Sequence, residues 1–338
     1  MKRTFLIMVL LLAAISMALP PIAGRPNEAW WSGSTTTNPL YKWIQAADGM
    51  VEAGQSLGTG EVFYVDSGVT TEGGGETWDT AVDTIDEAIA LCTANRGDLI
   101  LVAQGHAETN SATGVLVTCD IAGVTIIGMG SGTTRPTITL SHVTAAAFTT
   151  TAANVTIANI YIDSTGVDSV ASSIIVAEDH TTITGCEFLM SDGTGQADAC
   201  IITSGEANLC DYLTVSNCRF VSPNAGAVEA ILLEEIEEGV VIAGCYIYGD
   251  FSVAGIHNPT GKVCTNVMIR DCTIKNDQTG DGCIELVSAC TGFLIRNFYQ
   301  GDTDAALVDP GSCFSYECLG CDTVDTSGFA LPAIGAAT

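Results

Sequence analysis

Positive charge is what this chain has least of: 11 Lys and Arg stand against 39 Asp and Glu in 338 residues, a formal net charge of -28. Nucleic acid and anionic membranes need a Lys or Arg for each phosphate neutralised, so the balance argues against both as partners. Histidine is scarce too. His106, His142, His180 and His257 stand at unlike places with no HxH or HxxxH spacing, so they give no zinc motif and read as loop or surface residues. There is no Gly-rich phosphate loop and no nucleophile elbow. Beyond the first residues no run is apolar enough to span a bilayer. What is present is core material: 47% hydrophobic against 15% charged residues, enough for one elongated domain or two compact ones. The acidic excess fits solubility outside the cell, or cation binding.

The opening "MKRTFLIMVLLLAAISMALPPIAG" sets Lys2 and Arg3 before an apolar run, then small residues and a prolyl break. That is the build of a secretory signal over residues 1–24, with a retained N-terminal anchor as the alternative. A secreted or extracellular-surface protein is expected. Residues 25–59, with Trp30, Trp31 and Trp43, form an N-terminal extension, and 322–338 a C-terminal tail.

Between them one phrase recurs: "TTITGCEFLM", "LTVSNCRFVS", "VVIAGCYIYG", "VMIRDCTIKN". Taking its central apolar residue as an anchor gives Ile126, Ile157, Ile183, Val215, Ile242, Ile269 and Ile295, at intervals of 31, 26, 32, 27, 27 and 26. Two residues after each anchor comes Gly, Asn or Asp (Gly128 and Asn297 at the two ends of the series), the types that tolerate a left-handed bend. A second short strand follows, and after a Gly- and Asp-rich loop a third, such as "SSIIVA" or "AILLEE". Three short strands per unit make one turn of a coil. Stacked coils pair each strand with its equivalent one turn away, giving three parallel sheets of about seven to eight coils around an apolar interior. Alternation points the anchor and the third residue after it inward, and the first and fourth outward.

The inward third place reads Met129, Ile160, Cys186, Cys218, Cys245, Cys272 and Phe298. Stacked rungs about 4.8 Å apart with parallel side chains suit a small polarisable hydrophobe and suit a disulfide poorly. Fourteen cysteines in an exported chain still raise the question of bridges. Cys264 with Cys290, at a loop edge in adjacent coils, is one candidate, and a bridge among Cys313, Cys318 and Cys321 at the C-terminal end is another.

Ahead of the coils, "VFYVD" reads as a strand, "TTEGGGETW" as a loop, and residues 80–94 as an amphipathic helix capped by Thr80 and Asp83 that would cover the open coil end. This front end, carried by Phe63 to Asp66, Trp78, Thr84, Ile85, Ala88, Ile89, Gly97, Asp98, Ile100, Val102, Gly105 and Glu108, resembles the pectin-lyase-like superfamily of right-handed parallel β-helix proteins over residues 60–321. It is also similar to uncharacterised bacteriophage-encoded β-helix proteins. It departs at "QGHAE", residues 104–108, where the superfamily commonly has Pro-Gly-x-Tyr. The resemblance implies an all-β fold with an N-terminal capping helix and leaves activity open, since the fold carries lyases, hydrolases, receptor-binding spikes and non-catalytic surface proteins.

A lyase of this kind implies a Lys or Arg base beside carboxylate-bound calcium, and a hydrolase two or three close aspartates. The candidates are Arg270 and Arg296, placed as stacked outward neighbours with Asp271 near a metal, and a carboxylate group of Asp277, Asp281 and Glu285. Each has a plain structural alternative in turn geometry and surface ion pairs. The run Glu234, Glu235, Glu237 and Glu238 reads as a solvated edge. A binding face is easier to draw, because the outward fourth place reads Tyr161, Glu187, Arg219, Tyr246, Thr273 and Tyr299, tyrosines able to stack sugar rings. The sequence thus points to a non-catalytic surface or virion-associated structural or glycan-binding protein. The rivals are a polysaccharide lyase or hydrolase, with calcium as its metal, and a homo-oligomeric filament or trimeric fibre.

Overall fold

The computed structural model describes residues 60–70, 73–204, 209–301, 307–322 and 329–330. The expected signal segment, the extension with its tryptophans and most of the tail lie outside them. The described chain winds into a parallel β-helix. A first sheet of ten strands runs from Val62–Val65 to Phe314–Tyr316, and a third of eight from Gly114–Cys119 to Val308–Asp309. A second sheet of ten starts at Ala107–Asn110 and is parallel up to Leu319–Asp322, which pairs antiparallel with Phe329–Ala330. Neighbours in each sheet are one turn apart in sequence, so eight turns contribute to all three. Within this frame Ile126, Ile157, Ile183, Val215, Ile242 and Ile269 stack in register with no exposed surface. The interior is a continuous apolar column, in which Phe188 and Phe220 stack at 4.7 Å.

The repeated cysteine has a second reason besides packing. The thiols of Cys186, Cys218, Cys245 and Cys272 lie within donor reach of the carbonyls of Ile157, Ile183, Val215 and Ile242, at 3.8, 3.6, 3.7 and 3.7 Å, and closer to those of Thr184, Ser216, Ala243 and Arg270, at 3.6, 3.3, 3.6 and 3.2 Å. Each rung's single proton is shared between its own coil and the anchor of the preceding one. The bends that follow the anchors are left-handed, at Asn159, Gly185, Asn217, Gly244 and Asp271, with φ from 52 to 63°.

The series departs from expectation at both ends, by a register shift at the C-terminal one. The partner of Ile269 is Leu294, with Ile295 opposite Arg270. Arg296 then takes the left-handed bend (φ 51°), Asn297 the inward rung, Phe298 the outward place, and Tyr299 becomes the largest fully buried side chain. Three apolar residues in a row, Phe293 to Ile295, let the alternation be read in either phase, and polar Asn297 looked like a bend. Its amide instead donates to Ile269 O at 2.8 Å, where a thiol donates elsewhere, and Cys318 resumes the column on Leu294 O at 3.4 Å. At the other end Gly128 is no left-handed bend, and Met129, expected inside, is 41% exposed. A Cβ on Gly128 would lie 2.3 Å from Asn159 O, so close approach of the next coil explains that glycine.

The helix α1 spans Ile85–Leu91, shorter than expected and capped four residues later, by a Thr84 and Glu87 box. Trp78–Thr80 instead forms a 3₁₀ turn and Val82 bridges Val65, which uses up the residues that were to begin it. The helix lies against the end strands of the coil. Asp86 accepts from Thr118 N at 3.0 Å and Glu108 accepts from Ile85 N at 2.9 Å. His106 is buried, against expectation: it meets Glu108 at 2.7 Å through Nε2, and its Nδ1 accepts from Ser67 N at 2.9 Å, tying the first strand to the cap.

The expected disulfides are absent among the described residues, since Cys264, Cys290, Cys313 and Cys318 are buried free thiols. Asn258 and Glu237 occupy the first pair: Cys290 Sγ donates to Asn258 Oδ1 at 3.1 Å, and Cys264 Sγ to Glu237 Oε2 at 3.6 Å.

Candidate functional site

The outer face of the second sheet carries the outward row read from sequence, with one correction. Tyr161, Glu187, Arg219, Tyr246 and Thr273 are in-register neighbours, each about 4.8 Å from the next. Tyr299 is not among them. It faces the interior opposite Ile274, and the row continues through Phe298 and Leu319. Parallel alternation adds a second outward row that the sequence reading missed, including Asp163, Leu189, Val221, Tyr248 and Lys275. Its signal was available, since these residues stand two after the first row.

The face is knit by charge and rings. Glu187 joins Arg135 at 3.2 Å and also Arg219, whose guanidinium lies 5.9 Å from the Tyr246 ring centre. Lys275 sits 4.8 Å from the Tyr248 ring centre and pairs with Asp277 at 3.0 Å. Burial, and then Asp163 and Glu187, push the Tyr161 hydroxyl above its usual range, so it stays a neutral donor. Tyr246 is 43% exposed. Three phenol rings, two cations and two carboxylates thus share one surface.

The catalytic candidates do not converge. Arg270 and Arg296 are not stacked at equivalent positions, because of the register shift. Both turn onto Asp271, Arg296 by two bonds of 2.7 and 2.9 Å and Arg270 by one of 3.0 Å. The pairing, led by Arg296, holds the Asp271 carboxyl below the usual range. It also supports two non-glycine residues in left-handed bends. Arg296→Ala is accordingly expected to leave the thermal midpoint nearly unchanged, since an exposed pair contributes little; a large drop in a melting curve would show that the bend depends on it. Asp277 is engaged with Lys275, whereas Glu285 lies on the third sheet opposite His257. Asp281, raised by burial and then by Asp250, precedes that strand. Among the described residues no three His, Cys, Asp or Glu side chains are grouped to hold a metal ion, and Asp271 is engaged by both arginines.

A pair unnoticed in the sequence sits on the third sheet. His257 Nδ1 meets Glu229 Oε1 at 3.0 Å, with the Glu229 side chain almost wholly buried. Asp198 is raised by burial first and by Glu229 second. The two partners are 28 residues apart but offset along their strands, so neither shared column nor motif marks them. The acidic run also changes character: Glu235 pairs with Lys262 at 2.9 Å, while Glu237 is 1% exposed with its Oε1 unpartnered. No described helix is long and apolar enough to cross a membrane.

No protein-family model matches the chain, and no curated protein matches it. Among solved structures it is similar to a pectate lyase, at 12% identity and TM-score 0.54, covering 78% of this chain and 77% of that one. A rhamnogalacturonan lyase is 10% identical over 72% and 75% of the two chains, TM-score 0.45. The A-module of an Azotobacter vinelandii mannuronan C-5 epimerase is 13% identical over 85% and 77%, TM-score 0.35. At such identities the likeness with the pectate lyase speaks for architecture alone, and with the three stacked sheets it identifies this chain as a parallel β-helix protein of pectin-lyase-like fold.

Proposed function

We propose that the protein is a secreted, non-catalytic β-helix of a cell or virion surface that binds glycan on the outer face of its second sheet. The supporting observation is the double row in which Tyr161, Tyr246 and Tyr248 stand beside Arg219, Lys275 and Glu187 on one rigid ladder. Sugar rings stack on phenol faces, and the charged groups fix hydroxyls or carboxylates in register with the strands. The geometry asks for an extended chain lying along the ladder. Calorimetric titration against neutral and acidic polysaccharides tests this. Tyr246→Ala and Arg219→Ala should each weaken binding about 10-fold, and the reading fails if nothing binds or if both variants bind as the parent does.

A polysaccharide lyase or hydrolase remains the rival because the buried Glu229 and His257 pair, with raised Asp198 beside it, has the make-up of an acid-base site. Unsaturated or reducing-end products, lost in Glu229→Gln, Arg270→Ala or Asp281→Ala, would replace the binding reading with a catalytic one.

A further inference from the structure

We infer that the outer face of the first sheet is the docking surface for a second copy of this chain, the two faces packing against each other. The inference is independent of the glycan reading, which concerns a different sheet.

The first sheet is built from ten strands, and two side chains of each point outward in continuous ladders, one starting at Val62 and one at Tyr64. Trp78 roofs Tyr64 at 4.6 Å, and among the described residues no ring contact covers the nine strands from Leu99–Val102 to Phe314–Tyr316 from outside the sheet. Along those ladders the only charged residue is Arg270, and its charge is met by Asp271 at 3.0 Å. Neither ladder holds an Asp or Glu, and the carboxylate that reaches the face, Asp271, is paired with Arg270. By contrast the matching rows of the second sheet hold Asp163, Glu187, Arg219 and Lys275.

The face is graded. Leu99 and Leu101 begin it, small uncharged residues such as Thr184 and Ser216 fill its middle, and Phe293, Phe314 and Tyr316 end it at 49%, 66% and 62% exposure. Phe293 and Phe314 lie 5.9 Å apart, forming the aromatic patch that anchors interfaces. Exposed aromatics of this kind in the last coils are a contiguous patch rather than scattered singles.

Charge selects the occupant. Two chains of net charge -28 repel through every acidic surface, so the uncharged face is where copies can approach. An isologous contact sets this face on itself and so opposes no like charges. Its size also suffices. Eight rung spacings of about 4.8 Å by a strand width of about 13 Å give roughly 500 Å² per copy, or about 1,000 Å² in all, the lower bound for a specific interface.

Sedimentation velocity on the full chain tests the proposal. A dimer should populate between about 1 and 100 µM and strengthen as salt screens the net charge. Phe293→Glu and Thr184→Lys should each weaken it by about 100-fold, while Thr137→Lys on the second sheet leaves it unchanged. Hydroxyl-radical labelling of the unmodified protein guards against variants that misfold: protection of Phe293, Phe314 and Tyr316 should rise with concentration, and that of Tyr246 and Tyr248 should not. A monomer throughout that range at high salt, a dimer indifferent to both folded variants, or protection gained only away from the first sheet would each overturn the inference.

Discussion

Glu237→Gln is expected to abolish a pH dependence of about 3 kcal/mol in the stability of the β-helix. Burial pushes the Glu237 carboxyl from 4.5 up to about 7, against the opposing effect of hydrogen bonds from Thr203 and Cys264, and Asp211 raises it further. Glu235 and Cys210 face the same pocket. In the unfolded chain the group loses its proton near 4.5, in the folded one near 7, so between those values the native state binds more protons. The contribution is therefore fully present below pH 4.5 and lost as pH rises through about 7. Glutamine keeps the shape and carries no titrating proton. Urea midpoints across this window should fall with pH in the parent and stay level in the variant. Parallel profiles for the two proteins would refute a buried neutral carboxylic acid.

Asn297→Ala is expected to cost about 2 kcal/mol, since it strands the buried Cys272 N–H and removes a second donor from Ile269 O, which keeps its ladder bond. The side chain accepts from Cys272 N at 2.9 Å and donates to Ile269 O at 2.8 Å, wholly out of water. Alanine serves neither group. Asn297→Cys, which restores the thiol found at the same place in five other coils, should recover about half of that loss because a thiol donor is weaker than an amide. Denaturation of the three proteins under reducing conditions compares them. If cysteine proves as costly as alanine, the column is held by packing volume and not by its donors.

How far the sequence revealed this structure depended on whether its pattern could be read in more than one phase. From Ile157 to Thr273 every coil has an apolar anchor followed two residues later by Asn, Gly or Asp in a left-handed bend, so faces followed directly and the row from Tyr161 to Tyr246 faces outward as expected. At Phe293 to Ile295 three apolar residues in a row precede Asn297, a bend-type residue two after Ile295, and a slip of one residue exchanged the fates of Phe298 and Tyr299. Glu237 was misjudged because four carboxylates in five residues look solvated, although alternation alone would send one of them inward. The His257 and Glu229 contact was invisible for a different reason: it joins residues at unequal heights on neighbouring strands, which no fixed period reveals. The helix began late because local propensity gave way to a bridge with the first strand.

The donor column also bears on chemistry the protein avoids. Each thiol in it lies within donor reach of a carbonyl one turn back, and elsewhere burial lifts Cys92, Cys210 and Cys313 to about 12, while hydrogen bonds from neighbouring thiols lower Cys186, Cys245 and Cys290. Only the ionised sulfur attacks disulfides or peroxides. A chain rich in cysteine exposed to air would ordinarily scramble or scorch. Here the cysteines from Cys92 to Cys318 are all buried, so oxidative damage to them would have to wait for a coil to open.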